Sequence, residues 1–494
     1  MRFSLILLLF VFVVKSHGQQ LVLPGDNPDP SVVKIGNEYW AAGTTSDWFP
    51  AFRLYRSADL VNWKSAGHVF TEMPAWADHY MWAPEITYDN GKVYLYYTAH
   101  KKGGSLCIAA AVADKPEGPY RDLGPLICQE DGSIDAFPVR DENGKLYMIW
   151  KEDGNSAGKP TPIWAAEMKE DRTGLVGEKT ELFRGEAPWE QGLVEGVSVM
   201  KHNDYFYAFY AGAKCCGKAC NYGTGIARSK NLLGPWEKYL GNPVLINDQE
   251  WKCPGHGTPV EEKGRFYFLY HGYSTNSGAY AGRQGLLNEF EFTADGWIRF
   301  LNGNTQTRLP DAKTFADDFT GDRLADQWHW SIFQDVHYTV SGNTLKLDAL
   351  PSVCGAYIGQ PVLASDYTAA VAVQKSTTAQ AGLALIGDDR NLLYTGVQHN
   401  EIYLIQVKGG KETLIAREKI RKSPSAITIK ATVTNNTAVR FAYSGDGKKF
   451  RALGDTSADI SQLPPWDRAV RVGLISKGAS GQTAFFKSFI LKNQ

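Results

Sequence analysis

The stretch Asn27-Pro28-Asp29-Pro30-Ser31, continuing through Val32-Val33-Lys34-Ile35 into the turn Gly36-Asn37 and the strand opening Glu38-Tyr39-Trp40, decides how the rest of the chain is read. Two prolines fix φ on either side of Asp29 and remove backbone donors, which presents its carboxylate on a stiff strand entrance. Alone, such a tripeptide marks a turn. Its continuation, a turn followed by an aromatic strand, returns at Gly91-Lys92-Val93-Tyr94-Leu95, Gly144-Lys145-Leu146-Tyr147-Met148, Asp204-Tyr205-Phe206-Tyr207-Ala208 and Gly264-Arg265-Phe266-Tyr267-Phe268. The aligned tyrosines lie 55, 53, 60 and 60 residues apart, the signature of a repeat architecture. A second strand signature follows each copy, as in Arg53-Leu54-Tyr55-Arg56-Ser57 and Gly225-Ile226-Ala227-Arg228-Ser229. Units of this length, with several short strands and no helical period, suit four-stranded blades, so residues 21–300 are expected to form a five-bladed β-propeller. A β-sandwich has no reason to repeat its strand order five times.

Working outward, 494 residues exceed one ordinary core and predict at least two domains. The 49 glycines and 14 tryptophans suit a turn-rich β protein with aromatic surfaces, and a net charge of −1 disfavours nucleic acid or an anionic membrane as partner. Arg2, the short apolar run Leu5 to Val14 and the small residues around Ser16-His17-Gly18 read as a cleaved signal peptide over residues 1–18, too short to span a bilayer comfortably. A secreted or periplasmic protein that is not membrane-spanning is therefore expected. In such a compartment the cluster Cys215-Cys216 and Cys220 reads as disulfide-forming, and seven cysteines leave at least one thiol over. The repeat stops after Phe300. Residues 301–314 read as a linker, and the alternating strands of residues 315–494 as a β-sandwich of jelly-roll, concanavalin-like type. This second domain shows no catalytic constellation, and its Trp328 and Trp330 read as core aromatics rather than sugar platforms.

The first strand of a propeller blade lines the central channel, and about ten residues upstream of each tyrosine stands an ionisable group: Asp29, Glu85, Asp135, Glu195 and His256. If these are equivalent, strand geometry aims all five at the axis from one end. Like charges around one channel are costly to bury and are tolerated chiefly where shifted pKa values do chemistry. A channel rimmed by Trp48, Phe49, Trp82, Phe137, Trp189 and Trp251 would suit carbohydrate, whose apolar ring faces stack on aromatics. Glycoside hydrolysis needs one protonated carboxyl and one ionised carboxylate.

Taken together, Asn27-Pro28-Asp29-Pro30, Met81-Trp82-Ala83-Pro84-Glu85, Ser133-Ile134-Asp135, Glu195-Gly196, Gly255-His256-Gly257 and Gly282-Arg283 with Asp295-Gly296-Trp297 resemble glycoside hydrolase family 43, in order over residues 24–300. The segment from Phe315, with Asp317-Asp318-Phe319 and Trp328, is similar to the β-sandwich appended to many members of that family. The resemblance implies that Asp29 is the general base activating water, Glu195 the general acid, and Asp135 the residue that orients Glu195 and raises its pKa. It implies inversion at the anomeric carbon, with acid and base roughly 6.5–9.5 Å apart. It further implies that Arg283 binds the substrate sugar, that Trp82 and Phe137 wall its pocket, that Glu85 supports substrate binding, and that His256 stands near the channel as a substrate-binding and metal residue beside a structural calcium that is mostly water-coordinated. No cofactor is required for the chemistry. The expected activity is an inverting exo-glycosidase acting on α-L-arabinofuranosyl or β-D-xylosyl linkages of plant polysaccharides or oligosaccharides. An endo-acting arabinanase and a non-catalytic carbohydrate-binding propeller stay open. A retaining fructan enzyme on the same propeller is disfavoured, because Arg140-Asp141 continues to Glu142 and not to proline.

Overall fold

The computed structural model describes residues 19–301, 314–420 and 424–494, so the signal-peptide reading and all but the ends of the linker reading lie outside the described residues. Strand β1 (Gln20–Leu23) leads the chain into five antiparallel sheets. Blade one holds β2 (Ser31–Ile35) and β3 (Glu38–Ala42), a short excursion β4 (Trp48–Phe49), then β5 (Ala51–Ser57) and β6 (Lys64–Phe70). Blade two is β7 (Ala77–Asp89), β8 (Lys92–Lys101), β9 (Leu106–Ala113) and β10 (Arg121–Cys128). Blade three is β11 (Ser133–Arg140), β12 (Leu146–Glu152), β13 (Ile163–Met168) and β14 (Leu175–Phe183). Blade four is β15 (Val194–His202), β16 (Tyr205–Gly212), β17 (Gly223–Ser229) and β18 (Glu237–Lys238). Blade five comprises β19 (Trp251–Glu262), β20 (Arg265–Ser274), β21 (Arg283–Phe292) and, pairing with β21 from opposite sides of the sequence, β1 and β22 (Ile298–Phe300).

The five aligned tyrosines all fall in the second strand of a blade, each paired to the innermost strand, as in Tyr94 with Thr87 and Tyr207 with Met200. Between blades the cores are shared: Tyr97 and Leu95 of blade two pack with Trp40, Phe52 and Phe70 of blade one. Burial of such side chains contributes about 1.5–3 kcal/mol each. Closure comes from the N-terminal strand, whose Leu21 and Leu23 face Leu286 and Gly285 of β21, so the last blade cannot form without the first residues of the domain.

The second domain opens with β23 (Thr314–Asp317) and stacks a sheet of eight strands on one of six. In Tyr367–Gln374 every second residue, Tyr367, Ala369, Val371 and Val373, is buried, the period of a half-covered strand. Trp328 belongs to this core, hydrogen-bonded by its indole to Asp317. The domains are joined by more than the chain. The excursion β4 pairs with β24 (Trp330–Ser331) of the sandwich, and the buried Arg471 meets the buried Asp26 at 3.1 Å while its guanidinium lies over Trp48. Removing one partner of a buried pair costs about 3–5 kcal/mol. Arg471→Ala is accordingly expected to lower the thermal unfolding midpoint by several degrees, and an unchanged midpoint would show that the domains are held otherwise.

Candidate active site

At equivalent points each innermost strand is entered or interrupted by a residue in the left-handed region: Asp29 (φ 50°), Ala83 (φ 45°), Asp135 (φ 59°), Gly196 (φ 60°) and His256 (φ 45°), with Tyr80 (φ 59°) and Cys253 (φ 57°) as further left-handed residues of β7 and β19. In blades two to five they coincide with register shifts, between Trp82 and Glu85, Ile134 and Phe137, Glu195 and Ser198, and Gly255 and Gly257. Bulges re-aim side chains, and non-glycine residues persist there only when the surroundings enforce it. The sequence alignment is corrected in two of its five places. Glu195 stands immediately before the bulge residue of its blade, and Glu85 two residues beyond it. Gly196 is needed as such: a Cβ there would lie 2.7 Å from Cγ of His256.

Asp29 is the most heavily partnered of these groups. Its Oδ1 accepts from Arg283 Nη1 at 2.9 Å, its Oδ2 from Thr44 Oγ1 at 2.7 Å, and its amide donates to His271 Nδ1 at 3.0 Å. His271 is fully buried, and burial lowers its pKa to about 4, so it is neutral and Nδ1 is an acceptor. Burial pushes the Asp29 carboxyl up, but Arg283 and the neighbouring hydrogen bonds outweigh it and hold the group far below the usual carboxylate range. It stays ionised at every working pH. The imidazole of His256 lies between Asp29 and Asp135, its Nδ1 3.5 and 4.0 Å from their nearer oxygens.

Glu195 is clamped differently. Its Oε2 accepts from Lys151 at 2.6 Å and its Oε1 from Tyr222 at 2.8 Å. Asp135 does not touch it through side chains; instead Asp135 Oδ2 accepts the Gly196 amide at 2.9 Å and so fixes the backbone that carries Glu195. The expectation that Asp135 raises the pKa of Glu195 is reversed in balance. Burial raises Glu195, but Lys151, itself buried and bonded to Asp153 at 2.8 Å, outweighs it and lowers the group. Burial, with help from the Glu195 charge and against His256 and Lys151, pushes Asp135 up to about 6. Asp135 therefore keeps its proton to a higher pH than Glu195 does.

These groups line a cavity of about 380 Å³, together with Trp82, Tyr80, Arg283 and His256. Trp82 is fixed by stacking on Tyr80 at 4.3 Å and by its indole bond to Ser46. Of the six aromatics expected on the rim, only Trp82 is there. Phe137, Trp48, Phe49, Trp189 and Trp251 are packed into cores or against neighbouring rings; Phe137 packs with Ile149 and Val197 because the bulge at Asp135, two residues earlier, turns Ile134 and Asp135 to the cavity instead. Glu85 does not line it either: it is buried further along the channel, held by Thr258 at 3.0 Å, and burial raises it well above the ordinary range. Sequence reasoning missed Lys151, Tyr222, Thr44 and His271, and missed that the sandwich reaches the site. Trp466 stands edge-on to Trp82 at 5.9 Å, the Asp467 carbonyl accepts from Arg283 at 3.2 Å, and its carboxylate accepts from Ser46. Calcium takes six to eight oxygen ligands, and around His256 no three ligating side chains converge among the described residues, so a calcium held there would take most of its ligands from water. The chemistry below uses no metal.

A propeller with these residues at one mouth, followed by a sandwich, is matched by known proteins over most of the chain. The profile described as Glycosyl hydrolases family 43 covers residues 19–298. The chain belongs to that family. The domain described as Beta xylosidase C-terminal Concanavalin A-like domain matches residues 316–489. The crystal structure of a mutant GH43 protein, BlXynB of Bacillus licheniformis, superposes with a TM-score of 0.81 at 26% identity, covering 96% of this chain and 100% of that one. A Xylan 1,3-beta-xylosidase of a Vibrio species is 30% identical over 322 residues, so that the chain spans 58% of that protein's length. A non-reducing end alpha-L-arabinofuranosidase of Bacteroides ovatus is 24% identical over 470 residues, 86% of this chain and 81% of that one.

Because Lys151 lowers the pKa of both Glu195 and Asp135, Lys151→Met should raise both. A reaction that needs a protonated acid loses activity as pH rises through that acid's pKa. In kcat/KM against pH, the alkaline limb of the Lys151→Met protein is expected above that of the wild type; a limb that stays in place would remove Lys151 from the pair's electrostatics.

Proposed function

We propose that the chain is an inverting exo-glycosidase that releases a terminal β-D-xylosyl or α-L-arabinofuranosyl unit from plant cell-wall polysaccharide or oligosaccharide. The observation that carries this reading is the electrostatic division within one cavity: Asp29 is held ionised by Arg283, while burial raises the neighbouring Asp135 to about 6 beside Glu195. Two carboxyl groups with pKa values driven apart are the requirement for acid and base on one substrate. Asp29 takes a proton from the water that attacks the anomeric carbon. Glu195 gives a proton to the departing oxygen, with Tyr222 and Lys151 fixing its direction, and Asp135 holds the backbone beneath it. Arg283 and Trp82 face the terminal sugar. The names of the Vibrio and Bacteroides relatives support the choice of sugars. Exo action is supported by Trp466, which sets a wall where an endo enzyme keeps a through-going groove.

We further propose export from the cell, which three disulfides support: Cys107–Cys128, Cys215–Cys216 and Cys220–Cys253, with Cys354 left as a buried thiol.

A panel of nitrophenyl α-L-arabinofuranoside, β-D-xyloside and β-D-galactoside tests the reading. Asp29→Asn should lose about a hundredfold or more in kcat on whichever glycoside the wild type cleaves. Glu195→Gln should lose as much on an unactivated disaccharide but far less on a dinitrophenyl glycoside, whose leaving group needs no proton. Equal losses of Glu195→Gln on both leaving groups would take the acid role away from Glu195.

A further inference from the structure

The cavity has one wall that the proposed chemistry does not use. Both half-cystines of the Cys215–Cys216 bond line it. Adjacent residues joined through their sulfurs form a small closed ring that presents two polarizable, apolar atoms from one turn, and such sulfur surfaces pack well on apolar faces. The turn itself is tied on three sides. Lys214 and Asn221 close its neck, backbone to backbone and backbone to side chain, each at 3.0 Å. The Gly217 amide donates to the Tyr273 hydroxyl at 3.1 Å, and Cys220 is bonded to Cys253 of β19. On its outer side the turn grips the sandwich: Lys218 Nζ donates to the Ser461 carbonyl at 2.8 Å, and a Cβ on Gly217 would come within 3.3 Å of the Trp466 carbonyl. Where the turn rejoins blade four, Tyr222 donates to Glu195.

Resting on the glycosidase reading, we propose that the Cys215–Cys216 disulfide is a sugar-contacting wall of the cavity and the joint that seats Trp466 opposite Trp82, so that affinity for the terminal sugar depends on this bond being closed. An open pair has two thiols and a looser turn at Cys215 and Cys216, next to the Gly217 backbone on which Trp466 rests. Opening takes two electrons and two protons from a dithiol, which becomes a disulfide as the Cys215 and Cys216 sulfurs become thiols. The turn is half-exposed and within reach of such a reductant; Cys128 and Cys220 give the other two bonds an accessible side as well, and the variant's response to the reductant separates their effect from that of the Cys215–Cys216 bond. Cys215 and Cys216 are positioning and contact residues; neither exchanges a proton with the substrate.

The experiment compares the full chain with its C215S/C216S variant on a nitrophenyl glycoside that the wild type cleaves. KM is expected to rise about tenfold in the variant, the equivalent of 1.4 kcal/mol, with kcat within about twofold. Wild type treated with dithiothreitol should move to the variant's KM and return on reoxidation, and the variant should not respond. The reductant arm needs no substitution and so keeps the test decisive if the variant folds poorly. A wild type and variant with equal KM, or a wild-type KM indifferent to dithiothreitol, would overturn the proposal while leaving the glycosidase reading standing. A wild type without turnover on any glycoside would overturn both.

Discussion

One ion pair joins the fold to the chemistry, that between Arg283 and Asp29. Arg283 opens β21, the strand that receives β1 and so closes the propeller, and its carbonyl accepts the Asn27 amide at 2.7 Å as the chain turns from β1 towards blade one. Its guanidinium then bonds the carboxylate two residues further on, and with its other arm the Asp467 carbonyl of the sandwich. Ring closure, an ionised base and domain docking thus meet at one side chain. A buried charge pair of this kind is expensive unless both partners are well bonded, and here Thr44 and the Asp467 carbonyl complete the set.

The remaining charges are arranged around that fixed anion. With Asp29 ionised, a second and a third carboxylate nearby cannot both be charged without compensation, and Lys151 supplies only one positive charge. Asp135 accordingly keeps its proton to a higher pH than Glu195, because Glu195 has the lysine and the tyrosine hydroxyl, whereas Asp135 is buried with an imidazole 4.0 Å away and a backbone amide.

Much of this was legible in the sequence because every blade solves the same packing problem. A turn and an aromatic strand recur wherever a second strand must fill the space between blades, so Tyr39, Tyr94, Tyr147, Tyr207 and Tyr267 announce the repeat. The positions of Asp29, Asp135, Glu195 and His256 at one mouth followed from that register. What was hidden is of two kinds. The left-handed bulge is occupied by Asp, Ala, Asp, Gly and His, residue types with no common preference, because the surrounding sheet imposes the conformation; counting from the tyrosines therefore misplaced Glu85 and sent Phe137 to the wrong side. Contacts between distant segments were the other kind. Lys151 reads as an ordinary strand residue until blade four is set beside blade three, and Trp466 lies in a turn of the second domain that nothing in its neighbourhood marks as part of a sugar site.

The central claim is that Asp29 activates water and never bonds to the sugar. The anomeric configuration of the first product tests this most directly, followed by proton NMR within the first minutes of hydrolysing a β-D-xyloside or α-L-arabinofuranoside, before mutarotation. The account predicts the inverted anomer as the initial product, α-xylose from a β-xyloside. Initial appearance of the retained anomer would mean a covalent intermediate on a carboxylate, and would contradict it.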